Sequence, residues 1–393
     1  MMLNTGCLAT GETRFTPHTL GEVIELKRGY DLPSKDRIKG QYPIISSSGI
    51  SGSHSDYQVE GPGVVTGRYG TLGQIFYEKE NFWPLNTTLY VKDFKGNHPK
   101  FIYYFLKTLD FWAFSDKAAV PGLNRNDLHT ANILFPNDVY YQKSVASILS
   151  SLDDKIDLNR RTNETLEAMA RALFRDWFID FGPTRAKMAG ETPYLAPELW
   201  ELFPKRLDDE GKPEGWELQR LHDILEFNYG KSLPTQKRIK GEIPVYGSGG
   251  VTGLHNEALV TTPTIIVGRK GTVGALYWEN RSCFPIDTVF YVTSKLPLSY
   301  CFYLLETLGL ENMNTDAAVP GLNRDNAYRL EMFYPPAVLI GSFANIVENW
   351  RNKIFTNESE SHTLAQLRDL LLPKLMSGEI SIRDAEKMVE DAA

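Results

Sequence analysis

Two glycine-rich segments of the sequence each carry an arginine in second position. GRYGTLG occupies residues 67–73 and GRKGTVG occupies residues 268–274, which places Arg68 and Arg269 at equivalent points. An arginine at a glycine-rich tip can contact a phosphate or a guanine edge, and it can equally form a salt bridge to a neighbouring strand. The spacing is not G-x-G-x-x-G and no Lys-Ser/Thr follows, so the glycines indicate tight turns and not a nucleotide-binding loop.

The string AAVPGLNR occurs twice without change, at residues 118–125 and 317–324. Pro-Gly indicates a turn, and the asparagine of each copy is placed to cap a short helix. If the two copies bind different ligands, the residues that distinguish those ligands should differ between the copies, so identity favours a shared scaffold. The alternative is that Arg125 and Arg324 contact phosphate, which every DNA sequence has in common.

A basic turn and a serine-rich loop precede each glycine-rich segment. DRIKG at 36–40 corresponds to KRIKG at 237–241, and SSSGISGSH at 46–54 corresponds to YGSGGVTGLH at 246–255. The basic residues either contact phosphate or form solvated surface, and the serine loops either present polar groups to nucleic acid or are flexible glycine loops. The candidate DNA-contacting residues are Lys35, Arg37, Lys39, Ser47, Arg68, Arg125, Lys231, Lys237, Arg238, Lys240, Ser248, Arg269, Lys270 and Arg324.

These matches extend over a whole domain. FWPLNTT likewise corresponds to CFPIDTV, and the matched segments lie 201 residues apart, except for AAVPGLNR at 199. A tandem duplication of roughly 120 residues, about the size of an ordinary domain, follows. Glycine-broken β-branched runs predict strands, and PKFIYYFLKTLDFW and PLSYCFYLLETLGL predict helices, so each copy is expected to be mixed α/β.

A heptad pattern follows each copy of the domain. Its apolar positions step by three and four residues, which predicts two long helices that pack together. Asn159 and Asn163 align with Asn357 and Ser361 and would pair if the helices run antiparallel, while Pro373 is expected to end the second helix. The predicted seam consists of Leu149, Leu152, Ile156, Asn159, Asn163, Leu166, Val347, Ile354, Asn357, Ser361 and Leu364.

The expected fold is therefore α/β plus coiled coil, with two duplicated mixed α/β domains separated by two long antiparallel helices about a pseudo-twofold axis. The predicted segments are a first domain at 1–137 with its repeat core from about 18, a first helix at 138–180, a linker at 181–215, a second domain at 216–336, and a second helix with a C-terminal tail at 337–393.

Charge and composition limit the classes of function. The 42% hydrophobic content is that of a soluble globular protein. The net charge of −7 argues against a simple basic nucleic-acid binder. Residues 18–137 carry 13 basic and 12 acidic residues, and residues 216–336 carry 11 and 12, so the excess acid lies elsewhere. No apolar run is long enough for a membrane helix, and no secretory signal is visible.

Cysteine and histidine usage points to no metal site. Cys7, Cys283 and Cys301 are odd in number and share no ligand spacing, which favours free thiols in a reducing cytoplasm. His54 and His255 match between the copies but have no other ligand types nearby.

The order and duplication of these motifs, together with KIDLNRRTNETLEAMARALFRDWF and LRDLLLPKLMSGEI, resemble the specificity (S) subunits of type I restriction–modification systems over residues 18–383. The resemblance implies two target-recognition domains that each read half of a bipartite, asymmetric DNA target with a fixed spacer. It also implies helices that dock methyltransferase subunits, with translocase-nuclease subunits as further partners. S-adenosylmethionine and ATP would bind those partners, so no cofactor and no membrane association are expected for this chain.

Two other functions remain open at this point. The chain could be a free-standing two-headed DNA-binding or adaptor protein, or an enzyme with a duplicated active site. No D/N-P-P-Y/F tetrapeptide, Walker A sequence or G-x-S-x-G motif is present, so a non-catalytic subunit is the prediction.

Overall fold

The structure, a computed structural model, describes residues 15–115, 122–314 and 321–391. They form two compact units, the first containing the described residues up to Leu158 and from Ser359 onwards, and the second containing Asn159–Glu358. Cys7 and the AAVP half of each repeat, 118–121 and 317–320, lie outside the described residues.

Among the described residues, the first part of the chain forms nine short strands and three short α-helices before a long one. The strands are β1 (Phe15–Thr19), β2 (Glu25–Arg28), β3 (Tyr42–Ser46), β4 (Gly49–His54), β5 (Gly63–Gly67), β6 (Ile75–Glu78), β7 (Trp83–Pro84), β8 (Thr88–Asp93) and β9 (Asn132–Pro136). The helices are α1 (Leu20–Val23), α2 (Pro99–Leu106), α3 (Arg125–His129) and the long α4 (Val139–Phe178), followed by α5 (Gly182–Ala189) and α6 (Pro197–Trp200).

The same order of elements then repeats. The strands are β10 (Glu217–Arg220), β11 (Leu225–Tyr229), β12 (Ile243–Gly247), β13 (Gly250–His255), β14 (Thr264–Gly268), β15 (Leu276–Glu279), β16 (Phe284–Pro285), β17 (Val289–Ser294) and β18 (Glu331–Tyr334). The helices are α7 (Leu221–Ile224), α8 (Leu298–Thr307), α9 (Arg324–Tyr328), the long α10 (Ala337–Ser377) and α11 (Ile382–Glu390).

Both copies have the same sheet topology. The first has a four-stranded antiparallel sheet of order β2-β8-β5-β6, a three-stranded sheet β4-β3-β7 and a pair β1-β9, and the second repeats it as β11-β17-β14-β15, β13-β12-β16 and β10-β18. The central strands β5 and β14 are buried at every residue, as their apolar sequences GVVTG and TIIVG predict. The predicted duplication of a mixed α/β domain is therefore confirmed.

The caps predicted within AAVPGLNR are present. The side chain of Asn124 accepts a hydrogen bond from the Asn126 amide at 2.9 Å, and the side chain of Asn323 accepts from the Asp325 amide at 2.9 Å. An N-cap of this kind typically contributes about 1 kcal/mol, which helps such short helices to form.

Helices α4 and α10 pack against each other, antiparallel, in both units. In the first unit Arg368 Nη1 lies 2.7 Å from Asp153 Oδ1, and the Tyr141 hydroxyl donates to the Leu375 carbonyl at 2.7 Å. Contacts thus run forward along one helix and backward along the other. The seam positions Leu149, Leu152 and Leu364 are buried in the core of this unit.

In the second unit the predicted polar level of the seam is formed by amides. The Asn357 side-chain amide donates to Asn163 Oδ1 at 2.8 Å, and the Asn159 amide donates to the Asn357 carbonyl at 3.4 Å. Asn159 and Asn357 are almost fully buried. Buried amides of this kind fix the register of packed helices.

Pro373 does not end the second helix, contrary to the prediction. Proline removes one helical hydrogen bond and crowds the preceding turn, yet α10 continues to Ser377. Leu371 and Leu375, on either side of the proline, are both fully buried, and their packing offsets the lost bond. The helix ends before Gly378, whose φ of +76° is a conformation that suits glycine.

Within the described ranges, no helix is long and apolar enough to cross a membrane.

Candidate nucleic-acid interface

Three segments that are distant in the sequence occupy equivalent places in each unit, and in the second unit all three are in contact. They are the last residue of strand β2 or β11, the glycine-rich segment, and the GLNR end of the repeated string. The Leu123 amide donates to the Arg68 carbonyl at 3.0 Å, and the Leu322 amide donates to the Arg269 carbonyl at 2.8 Å. The second and third segments are therefore joined by the same backbone contact in both units.

The helix that follows each GLNR sequence is also tied to the strand. In the first unit the Leu26 amide donates to Nε2 of His129 at 2.9 Å. In the second, the Phe227 amide donates to the Tyr328 hydroxyl at 2.7 Å. Burial lowers the pKa of His129, and the Arg125 charge lowers it further, which favours the neutral ring that can accept this bond.

In the second unit this packing builds a cluster of two arginines on one tyrosine, here called the second cluster (Tyr229, Arg269 and Arg324). Each guanidinium carbon lies 5.0 Å from the centre of the Tyr229 ring. Arg269 Nη1 donates to the Asp287 carbonyl at 2.7 Å. Tyr229 remains 49% exposed, so the cluster is accessible from solvent.

The equivalent residues of the first unit are three arginines, the first cluster (Arg28, Arg68 and Arg125). Arg28 ends strand β2 as Tyr229 ends β11, and Arg28 and Arg125 are exposed. The Arg68 guanidinium lies 4.6 Å from the centre of the Tyr69 ring. The first cluster therefore offers one more cation than the second.

The glycines of the glycine-rich segments have a structural role. A Cβ atom on Gly67 would lie 2.1 Å from the Thr71 carbonyl oxygen, and one on Gly268 would lie 2.0 Å from the Thr272 carbonyl oxygen. No side chain fits at either position, so these glycines close the turn that presents Arg68 and Arg269.

Arg37 and Arg238, both predicted DNA contacts, brace the chain in the structure. Arg37 Nη1 donates to the Ser51 carbonyl at 3.4 Å, and Arg238 Nη1 donates to the Thr252 carbonyl at 2.7 Å. These bonds hold the basic turn against the following hairpin. The lysines of the same turns have exposed side chains: Lys35, Lys39, Lys237 and Lys240.

The matched histidines also stabilise these turns. Nδ1 of His54 accepts from the Ile38 amide at 3.0 Å, and Nδ1 of His255 accepts from the Ile239 amide at 3.1 Å. In the part of the chain that the structure describes, no group of three side chains could hold a metal ion.

The serine loops lie at the turns of the β3–β4 and β12–β13 hairpins, with Ser47 and Ser248 half-buried there. In the second unit this turn touches the glycine-rich segment, because a Cβ on Gly271 would lie 3.1 Å from Ser248 Oγ. Lys231 and Lys270 are exposed and lie two residues after Tyr229 and one residue after Arg269, respectively. Polar and cationic groups thus border the second cluster.

The sequence of the chain matches the profile of one protein family. The sequence profile described as the type I restriction modification DNA specificity domain matches residues 13–168 and 213–334. Those ranges contain both copies of the domain and both clusters. The chain belongs to the type I DNA specificity family.

Named members of the family align with most of this specificity chain. It is 26% identical over 362 residues to the type I restriction enzyme HindI specificity subunit of Haemophilus influenzae, covering 72% of this chain and 77% of that one. It is 26% identical over 317 residues to the MjaIX specificity subunit of Methanocaldococcus jannaschii, covering 72% and 70%. The chain therefore acts as a DNA specificity subunit.

The fold of this specificity subunit resembles a solved one. The S subunit of a type I restriction-modification system from M. genitalium superposes with a TM-score of 0.64 at 21% identity, covering 96% of this chain and 98% of that one. At this identity the likeness concerns the fold.

Sequence reasoning missed two residues of the clusters, Arg28 and Tyr229. Neither lies in a repeated motif, since the two domains carry LKRG and FNYG at this point. One signal was available in the sequence: positions 28 and 229 are equivalent in the duplication but carry different side chains, as residues that distinguish two ligands would.

Proposed function

We propose that each unit of this specificity subunit binds one half of a bipartite, asymmetric DNA target, with the first and second clusters facing the DNA. The two halves are separated by a spacer that the paired helices set. Methyltransferase subunits dock on α4 and α10, and translocase-nuclease subunits complete the complex.

The observation that carries this proposal is the pair of clusters at equivalent places in two copies of one fold. Each cluster contains two arginines at equivalent positions, Arg68 and Arg125 in the first and Arg269 and Arg324 in the second. The third residue differs, being Arg28 in the first cluster and Tyr229 in the second. Arginine is the residue most often used for bidentate contacts with phosphate and guanine. Two like folds with unlike surfaces suit a target whose halves differ.

The chain itself is proposed to be non-catalytic and cytoplasmic. S-adenosylmethionine and ATP bind to the partner subunits and not to this chain. With a net charge of −7, the chain depends on local cationic clusters and on its partners for neutralising the phosphates.

The test is to express the full chain together with the methyltransferase encoded beside it and to map methylated adenines in the host genome. We expect a stable complex and one methylated motif made of two unlike halves with a constant gap. Cells that carry the methyltransferase without this chain are the control and should lack that motif.

If the two proteins do not form a complex while the chain alone selects a DNA motif, the free-standing DNA-binding protein is the correct alternative. If the isolated chain methylates DNA, the non-catalytic assignment is wrong. A motif with identical halves would contradict the assignment of different readouts to the two units.

A further inference from the structure

Tyr229 contacts both shared arginines of the second unit, Arg28 takes its place at the equivalent register of the first, and the structure assigns this position a role in reading bases. We propose that Arg28 in the first unit recognises a guanine and that Tyr229 in the second contacts a different base, while Arg68, Arg125, Arg269 and Arg324 hold backbone phosphates. This inference rests on the DNA-binding function proposed above and extends it to single positions.

The backbone at this position is the same in both units. Arg28 pairs with Leu89 across the sheet, and Tyr229 pairs with Phe290 at the equivalent register. The glycine that follows is held tightly in both, because a Cβ on Gly29 would lie 2.2 Å from the Leu85 carbonyl oxygen. On Gly230 the distance to the Ile286 carbonyl oxygen would be 2.1 Å. The two side chains therefore start from equivalent points in rigid strands.

The arginines beside this position are oriented by the protein. In the second cluster Arg269 donates to the Asp287 carbonyl at 2.7 Å, and Arg324 Nη1 lies 3.4 Å from the Phe227 carbonyl. An arginine has five N–H donors in a fixed fork, so one bond to a carbonyl orients the fork and leaves donors for a ligand. Both guanidiniums also pack on Tyr229, which fixes the ring between them.

Positions that are alike in the two units and positions that differ suit different parts of DNA. Phosphates are the same in both half-sites, so the arginines common to both units are suited to them, whereas bases differ between the half-sites. Arginine can donate two hydrogen bonds to O6 and N7 of guanine. Tyrosine cannot form that pair; its ring and single hydroxyl contact a base by apolar packing and one hydrogen bond.

The experiment exchanges the two side chains in the full chain, purified as the complex with its methyltransferase subunits. Variants Tyr229→Arg and Arg28→Tyr are incubated with a pool of duplexes that carry a random central stretch, and the bound DNA is sequenced. We expect Arg28→Tyr to lose a required guanine from one half of the motif and Tyr229→Arg to alter the other half. Discrimination at the affected position should fall by about 5- to 100-fold.

The shared arginines provide the matched control. Arg68→Ala and Arg125→Ala should weaken binding to all duplexes alike and lower the salt dependence by about one phosphate contact each, with the motif unchanged. Changed bases in the motif for these two variants would overturn the division of roles. An unchanged motif for both exchange variants would overturn the base-reading assignment.

The unaltered half of the motif reports on folding within the same experiment. A variant that has lost the fold of one unit loses that whole half-motif. If Tyr229→Arg behaves in this way, Tyr229→Phe, which keeps the ring packed on the arginines, is used in its place. Tyr229→Phe is expected to keep most of the half-motif and relax one base; an unchanged motif at every base contradicts the proposal. If the unmodified complex selects no motif at all, the proposed function itself fails.

Discussion

Arg351 is a buried charge in the second unit. Its side chain is 9% exposed, and Nη1 lies 2.7 Å from Glu167 Oε1. The Tyr303 hydroxyl accepts a hydrogen bond from Nη2 at 3.0 Å, and the guanidinium lies 4.8 Å from the centre of the Trp278 ring. A charge enclosed in this way is stable only while its partner is present.

Replacing Arg351 by Met should therefore destabilise the second unit. We expect a loss of about 3 kcal/mol in the free energy of unfolding, because Glu167 stays in a poorly solvated place without its main cation. Chemical unfolding followed by tryptophan fluorescence measures this. Arg171→Ala is the control: Arg171 also contacts Glu167, at 3.5 Å, but is 52% exposed, and its loss should cost less than about 1 kcal/mol. Equal costs for the two variants would contradict this account.

Because of His129, we expect the stability of the first unit to depend on pH. Its pKa is lowered in the folded state, so the unfolded chain takes up a proton first as the pH falls, and stability declines below the ordinary histidine pKa of about 6.5. Protonation also removes the acceptor of the Leu26 amide.

Exchange of His129 for Tyr, the residue at the equivalent position of the second unit, should reduce this sensitivity. Between about pH 7.5 and about pH 5.5 the melting temperature of the variant should fall less than that of the unmodified chain. Some dependence remains, because burial also lowers the pKa of His98. Parallel pH curves for the two proteins would refute the role of His129.

At the scale of elements, each unit contains an ion pair between an acid on α4 and an arginine on α10. Asp153 on α4 contacts Arg368 on α10 in the first unit, and Glu167 on α4 contacts Arg351 on α10 in the second. In both, a tyrosine from the domain's own helix joins the pair: Tyr104 donates to Asp153, and Tyr303 contacts Arg351. A further pair in the first unit has the opposite polarity, because Lys155 on α4 lies 3.3 Å from Glu360 on α10. Charges of both signs therefore complement each other across the two helices and favour their pairing.

A double-mutant cycle tests how strongly Asp153 and Arg368 couple the helices. Alanine at each position and at both should reveal a coupling of about 1–2 kcal/mol, because the two side chains are only about a quarter exposed. The same cycle on Arg160 and Glu164, which are mostly exposed and lie on one helix, should give about 0.5 kcal/mol or less. Additive effects at Asp153 and Arg368 would show that the pair does not join the helices energetically.

At the scale of the whole molecule, the proposed function makes the helices set the spacing of the target. Seven residues inserted after Leu158 and seven after Glu358 keep the heptad pattern of both helices and lengthen each by about 10 Å. We expect a DNA spacer longer by about three base pairs, with both half-sites unchanged. Mapping of methylated adenines gives the result.

The same insertion in α4 alone is the control. It shifts one side of the seam against the other, including the level of Asn163 and Asn357, and should destabilise the protein. A change in the bases of either half-site after the double insertion would rule out a spacing role for the helices.

The sequence by itself determined the features that depend on local or periodic patterns. The duplication, the strands around the glycine-rich turns, the asparagine caps and the heptad seam with its amide level are all written in residue spacing. Backbone geometry turns such spacing directly into structure, because a helix or a cap depends on residues only a few positions apart.

Only the tertiary structure decided which contacts each of the many similar basic residues makes within the protein. Arg37 and Arg238 resemble the other candidates in sequence, yet their guanidiniums bond to carbonyls that lie 14 residues away. Tyr229 lies far along the chain from Arg324, and their contact follows from the packing of a strand, a turn and a short helix. Pro373 stays helical because buried neighbours offset its missing bond. In each case long-range packing, which residue spacing does not encode, determined the outcome.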